Sequence, residues 1–286
     1  MASRSNVSRI EADLSVRALP AGGGLKPIDP LPATSDPNGH SSILILIHGF
    51  NVSEKDAGVV YKAFLYRLMY TGWSPPTLPV YKFLWPGDKE NKVWSALAYP
   101  LQLKTAKEAG RRLYAFLSPL HGPGGGPIDV HFVAHSLGNR LLLQCLDLLR
   151  GYAPRVVVRS VTLMAAAVPV SRTQYGGDLY RASLWPRFSQ ALHSKGDDVL
   201  HYAFPSGETA AFDAFMPTAI GRSGEPIANW SHESAFDSFA HGDYWLQPGP
   251  PGMVLPCLHW SAPRATAVSS IPSRQTDSRD TSSRSL

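Results

Sequence analysis

Among the serines of the chain, one stands where a nucleophile would. In Ala134-His135-Ser136-Leu137-Gly138 a serine sits between an apolar stretch that reads as a strand, Asp129 to Ala134, and a helical pattern from Asn139 onward. A strand-turn-helix this sharp strains the backbone at the serine and needs small residues on either side; Ala134 and Gly138 supply them. The run departs from G-x-S-x-G at its first position, where Ala134 adds one methyl. A hydroxyl presented in this way can attack a carbonyl carbon once a base removes its proton. The following helix start aims free N–H groups and a positive dipole end at the same point, so Leu137 is expected to donate one hydrogen bond to an oxyanion. A plain helix N-cap serine is the alternative; the buried strand before it and the amphipathic helix after it favour the nucleophile. A second oxyanion N–H is expected from Phe50 in Ile47-His48-Gly49-Phe50-Asn51-Val52, since a His-Gly loop after an early buried strand commonly provides one. His48 itself reads as a buried histidine that ties the loop down.

These residues need a rigid frame, and the apolar pattern predicts one. Ile43 to Ile47, Val80 to Trp85, Ile128 to Ala134 and Val156 to Ala166 are apolar enough for strands buried on both faces. Between them, Ala57, Val60, Tyr61, Phe64, Leu65 and Leu68 recur at helical spacing, as do Ala109, Leu113, Phe116 and Leu117, and Leu141, Leu142, Cys145, Leu146 and Leu149. Strand and helix in alternation imply the α/β class, a mostly parallel sheet flanked by helices on both faces. Residues 1–40 read as an N-terminal extension in which Leu14 to Leu19 could add an edge strand, 41–260 as the catalytic domain, and 261–286 as a disordered Ser/Arg-rich tail. No internal repeat is found.

Composition narrows the chemistry further. The chain has 286 residues, 44% hydrophobic and 17% charged, enough for one sizeable core. Part of its net charge of +5 lies in the tail, and no basic block is interleaved with aromatics, so no nucleic-acid partner is expected. Two cysteines, Cys145 and Cys257, imply no disulfide framework. With no signal-like apolar segment and no uncharged run long enough to span a bilayer, a soluble cytoplasmic protein without a transmembrane segment is expected. No metal-ligand spacing is present, no cofactor is implied, and Gly122 to Pro127 precedes a strand and lacks the Lys-Ser/Thr end of a phosphate loop. Oligomeric state has no signature in the sequence.

The runs His48-Gly49-Phe50-Asn51-Val52-Ser53, Trp85-Pro86-Gly87, Ala134 to Asn139, Ala219-Ile220-Gly221-Arg222 and His241-Gly242-Asp243-Tyr244 together resemble a branch of bacterial α/β-hydrolases known only as a domain of unknown function. The resemblance spans roughly Ser42 to Gln247. It implies the α/β-hydrolase fold and a triad in chain order serine, acid, histidine. Ala191 to Ser194 reads as a short strand, and the acid is expected at the turn after it, as Asp197, with Asp198 the alternative because adjacent side chains point differently. The base is expected as His241, after a Ser- and Glu-containing loop, with Gly242 letting its own loop turn and Tyr244 and Trp245 anchoring it. His193, His201 and His259 read as structural or exposed histidines, and His232 as a distant second for the base. Loops Pro86 to Gln102, Ser171 to Leu192 and Phe204 to Trp230 carry Trp94, Tyr99, Tyr175, Tyr180, Trp185, Phe188, Phe212, Phe215 and Met216, which either line an acyl pocket or pin the loops to the core. The implied reaction is hydrolysis of a small acyl ester through an acyl-enzyme on Ser136. Alternatives are a phospholipid-directed lipase acting as a toxin or effector, and a catalytically silent scaffold that binds a partner.

Overall fold

The computed structural model describes residues 11–15, 35–73, 78–87 and 99–259. Trp94, most of the extension and the Ser/Arg-rich tail lie outside the described residues. Among the described residues seven strands form one sheet: β1 (Glu11–Ser15), β2 (Ser42–Ile47), β3 (Val80–Leu84), β4 (Ile128–His135), β5 (Val156–Met164), β6 (Phe188–His193) and β7 (His232–Ala235). Their spatial order is β1-β3-β2-β4-β5-β6-β7, and every neighbouring pair is parallel. The four expected strands are present. The edge strand forms at Glu11–Ser15, slightly before the Leu14 to Leu19 pattern, whose residues 16–19 lie outside the description. Strand β6 starts at Phe188 instead of Ala191. The stretch before His241, expected as a loop, contains β7, whose half-polar His-Glu-Ser-Ala pattern suits an exposed edge.

Helices α1 (Glu54–Tyr70), α2 (Tyr99–Leu117), α3 (Leu137–Tyr152), α4 (Val170–Thr173), α5 (Tyr180–Leu184), α6 (Phe204–Ala210), α7 (Ile220–Ser223) and α8 (Gly249–His259) connect and cover the strands. The segments expected as long loops therefore carry short helices, and α2 begins at Tyr99, inside the predicted Pro86 to Gln102 loop. Helix α1 starts where Ser53 caps it: the serine Oγ accepts from the Asp56 N–H at 3.1 Å, and Glu54 and Asp56 place negative charge in the first turn.

Two apolar layers sandwich the sheet. On one face, Ala106, Leu113 and Leu117 of α2 and Leu141, Leu142 and Leu146 of α3 pack on Ile43, Ile45, Val130 and Phe132. On the other, Tyr61, Phe64, Leu65 and Leu68 of α1 and Val254 of α8 pack on Leu44, Leu46 and Val133. The alternation of Ile43, Ile45 against Leu44, Leu46 is the period-two signature of a strand buried on both sides. Each such aliphatic side chain removed from water contributes about 1.5–3 kcal/mol, so burial on both faces of the central strands stabilises the frame.

Helix α3 starts at Leu137, two residues earlier than its apolar pattern suggests, because the chain turns directly from β4 through Ser136 into the helix. The turn depends on Gly138, where a Cβ would come within 2.4 Å of the His48 carbonyl oxygen. Gly138→Ala is accordingly expected to destabilise the protein by about 1–3 kcal/mol in urea melts, the usual cost of forcing an extra methyl into a packed contact. Gly151 near the end of the same helix faces open space, and Gly151→Ala should be neutral or stabilising by about 0.5–1 kcal/mol. Equal effects at the two positions would contradict the packing described.

Candidate active site

Ser136 occupies φ 54°, ψ −127°, a backbone region that an L-residue enters only under constraint. The constraint is visible. The Ser136 N–H donates to the Met164 carbonyl at 3.0 Å, and its own carbonyl accepts from Ala167 N–H at 3.2 Å and from Asn139 Nδ2 at 3.1 Å. Asn139 Nδ2 also donates to Met164 at 3.0 Å, so one buried amide ties the turn to the end of β5. Gly49 crosses so closely that a Cβ there would lie 2.7 Å from the Ser136 Cβ.

Three side chains separated widely in sequence meet at this turn. His241 Nε2 lies 2.8 Å from Ser136 Oγ, and its Nδ1 lies 2.7 Å from Asp197 Oδ2. Asp197 is fully buried, and its other oxygen accepts from the Leu200 N–H at 3.0 Å. A carboxylate only accepts here, so His241 Nδ1 carries the proton and Nε2 is left to accept from the serine hydroxyl. Asp198, by contrast, is exposed. The difference has a simple cause: Asp197 begins the helical turn after β6 with its side chain folded back onto Leu200, and the next residue points away.

The turn carrying Asp197 is itself held. Ser194 Oγ donates to the Phe239 carbonyl at 2.8 Å, and the Gly196 N–H donates to Ser194 Oγ at 3.1 Å. Arg222 donates to the carbonyls of Lys195 at 2.5 Å and Asp197 at 3.5 Å. On the other side, the Ala240 N–H donates to Asp243 Oδ2 at 2.8 Å to close the loop that presents His241. Gly242 in that loop has an ordinary φ of −87° and open space at its Cβ position, so the turn does not require glycine, contrary to expectation. Tyr244 and Trp245 are buried and pack beside it, and burial together with the Asp197 charge pushes the Tyr244 phenol far above its usual range.

On the far side of Ser136, His48 organises the loop of Phe50. The Trp85 backbone N–H donates to His48 Nε2 at 3.3 Å, which leaves the proton on Nδ1, and Nδ1 donates to the Gly49 carbonyl at 2.8 Å. Trp85 stacks on the ring with centroids 5.6 Å apart and donates its indole N–H to the His48 carbonyl at 2.8 Å. Because a trans peptide directs its C=O and N–H oppositely, fixing the Gly49 carbonyl toward His48 turns the Phe50 N–H away from His48. Leu137 is the first residue of α3, where an N–H has no partner within the helix.

Behind the turn lies a buried charge cluster that the sequence did not announce. Arg140, in the first turns of α3, pairs with Asp213 at 3.0 Å and with Glu208 at 3.7 Å; Arg172 also pairs with Asp213, and Tyr99 donates to Glu208 at 2.8 Å. Burial and the neighbouring Asp213 push Glu208 up to about 8. Burial would raise Asp213 too, but its hydrogen bond to Glu208 and the charges of Arg140 and Arg172 hold it near 2. The loop aromatics are divided. Tyr99 is buried against Phe204, whereas Tyr175, Phe212, Phe215 and Met216 are exposed. A cavity of about 670 Å³ near this loop is lined by Val170, Gln174, Asp213, Phe215 and Thr218, and Ser136 is not part of its wall.

Of the other histidines, His193 is buried and bonded to Glu233 at 2.5 Å, while His201 and His232 are exposed. Among the described residues no three His, Cys, Asp or Glu side chains are grouped to hold a metal ion, and no helix is long and apolar enough to cross a membrane. Cys145 and Cys257 are both free and buried.

A parallel sheet covered on both faces, with a serine on a left-handed turn after its central strand and an acid and a histidine following in chain order after β6 and β7, decides the fold. This is the α/β-hydrolase fold. No protein-family model matches the chain, and no curated protein matches it. Solved structures similar to the chain include a protein from Thermus thermophilus (TM-score 0.45, 15% identity, covering 78% of this chain and 89% of that one). A lipase-esterase related protein from Clostridium acetobutylicum is similar at TM-score 0.43 and 9% identity, over 77% of this chain and 96% of its own. An extracellular α/β-hydrolase from a Paenibacillus species is similar at TM-score 0.42 and 11% identity, over 76% and 97%.

Two buried imidazoles on β4 give the α/β-hydrolase frame a defined acid limit. Burial and the charge of Arg159 lower His131 to about 4; burial and the neighbouring His241 lower His135 to about 3. In the unfolded chain both bind a proton as pH falls through about 6.5, while the folded protein does not. Stability is therefore fully present above pH 6.5 and lost below it, by about 1 kcal/mol per pH unit for each histidine. Urea melts from pH 7 to 4.5 should show this slope, and His131→Asn should reduce it; an unchanged slope in that variant would count against the assignment.

Proposed function

We propose that the chain is a carboxylic ester hydrolase that works through an acyl-enzyme on Ser136. The observation that carries this reading is the uninterrupted hydrogen-bonded relay from Ser136 Oγ through His241 to the buried Asp197. His241 Nε2 takes the proton of Ser136 as Oγ bonds to the ester carbonyl carbon. The carbonyl oxygen becomes an oxyanion, held by the N–H groups of Leu137 and Phe50. Asp197 stabilises the imidazolium that forms. The imidazolium then protonates the departing alkoxide, which leaves as the alcohol. Water follows the same path in reverse: His241 removes its proton, the hydroxide attacks the acyl carbon, and the acid leaves with Ser136 restored.

Ser136→Ala is expected to abolish hydrolysis of short acyl esters and labelling by a fluorophosphonate, with the melting temperature little changed. Asp197→Asn should lower kcat by on the order of 10²–10⁴, because the amide favours the wrong imidazole tautomer; Asp198→Asn should leave kcat within about twofold of the parent. A Ser136→Ala protein that retains ester hydrolysis would overturn the proposal. Failure of the unmodified protein both to label and to hydrolyse would favour a silent scaffold.

A second reading, action on phospholipid acyl esters, is favoured by one feature. Between Ala211 and Pro217, Phe212 and Phe215 are 98% and 86% exposed and Met216 more than half exposed, while Asp213, the charged residue among them, turns inward to Arg140 and Arg172. A solvent loop ordinarily has the opposite polarity. If lipid is the substrate, the double variant Phe212→Ser, Phe215→Ser should lose fatty-acid release from phosphatidylglycerol vesicles at least tenfold, while its turnover of a soluble ester is unchanged. Equal losses on both substrates would reject this second reading.

A further inference from the structure

His135, the residue before Ser136, is absent from the chemistry above, yet it is buried and its ring lies 4.9 Å from that of His241. Its Nε2 is 2.7 Å from the backbone carbonyl oxygen of His241. A carbonyl can only accept, so Nε2 carries the proton and the ring is the neutral Nε2–H form. Nδ1 is buried with no hydrogen-bond partner, beside Gly49, where an added Cβ would sit 3.0 Å from it. Tyr244 and Trp245 close the remaining sides, with ring centroids 6.1 and 6.0 Å away. Nothing in this pocket could stabilise a second proton, and burial with the neighbouring His241 and His48 rings holds the group near 3. The Nε2–H donor to His241 is thus fixed by an acceptor that can only accept and by a pocket that offers no second partner.

The covalent arrangement gives this bond its significance. His135 and Ser136 are consecutive, so the backbone of β4 that sets the nucleophile also sets the donor. From Ser136 Oγ to the His241 ring, through its backbone carbonyl to His135, and along one peptide bond back to Ser136, the contacts form a closed circuit. Asp197 fixes only the rotation of the His241 ring; the height of that ring above the serine is set by where its backbone lies. We infer that His135 is a positioning residue for the base, a neutral donor that locks the His241 backbone to the strand carrying the nucleophile. This inference rests on the hydrolase reading for its kinetic consequence, whereas the bond itself can be read without turnover.

The test uses His135→Leu, which fills similar space without a donor, and His135→Gln, whose side-chain amide can donate. In the whole 286-residue chain, His135→Leu should lower kcat by on the order of 10–10² with KM little changed, since displacing a base by a fraction of an ångström acts on the transition state and not on substrate binding. His135→Gln should recover most of that loss. Fluorophosphonate labelling of Ser136 should slow in parallel. Independently of activity, ¹⁵N imidazole NMR should show His135 as the Nε2–H tautomer, without titration between pH 5 and 8. An Nδ1–H tautomer or a titration near pH 6.5 would overturn the assignment. So would parental kcat in His135→Leu, or equal losses in the Leu and Gln variants at equal melting temperature. Should the unmodified protein neither label nor hydrolyse, the hydrolase reading fails, and the NMR result alone decides whether the bond exists.

Discussion

Everything at the site depends on the close crossing of two backbones, the turn at Ser136 and the loop after β2. Gly138 and Gly49 permit the crossing, since a side chain at either position would enter space already occupied by His48 or Ser136. The strained serine conformation, of a type that costs about 1–3 kcal/mol, persists because its N–H and C=O are both bonded to the segment that ends β5 and follows it. The parallel pairing of β4 with β2 and β5 on either side, buried on both faces, supplies the rigidity that these bonds transmit. The direction of the hydroxyl follows from this geometry: a serine forced into a left-handed turn at the carboxyl end of β4 projects its side chain away from the chain on both sides.

A second constraint is electrostatic. A carboxylate as deeply buried as Asp197 costs several kcal/mol to remove from water, and it is tolerable only because each oxygen has a donor, the Leu200 N–H on one side and His241 Nδ1 on the other. Arg222 acts on the same turn without neutralising the carboxylate, since it reaches the backbone carbonyls and not the acid. Both Asp197 oxygens are thus engaged, one by the backbone and one by His241. The Arg140, Glu208 and Asp213 cluster performs a different task, joining α3, which starts next to Ser136, to α6 and the segment beyond it.

The sheet was legible because strands buried on both faces leave continuous apolar runs; Ile43 to Ile47 and Ile128 to Ala134 could hardly be anything else. Strand β7 was not, because His-Glu-Ser-Ala at an exposed edge has neither alternation nor apolar content. The serine was legible because a sharp turn imposes small residues at fixed spacing. The choice between Asp197 and Asp198 was not, since direction of adjacent side chains depends on how the following turn closes, here through Leu200. Asn139, Arg222 and His135 carried weaker signals: each lies within a recognisable run, but their work is to bond backbone carbonyls, and no residue spacing encodes a contact across 106 positions such as that of His135 with His241. Gly242 misled for the converse reason, because a glycine in a loop marks a left-handed turn only when the backbone actually enters one.

Three imidazoles crowd this small region, and their partners assign each a single task. His48 receives the Trp85 N–H on Nε2 and spends its own proton on the Gly49 carbonyl, so both nitrogens are engaged by backbone. His135 gives its proton to another carbonyl and is sealed by aromatic rings and glycine. A backbone carbonyl stabilises a donor but carries no full charge, so the buried His135 ring gains little from a second proton and loses hydration by accepting one. His241 alone has a carboxylate on Nδ1, and its Nε2 faces a hydroxyl that can surrender a proton. Discrimination among chemically identical side chains thus comes from the charge of the acceptor opposite each ring, and the acceptor is chosen by the strand end on which it sits.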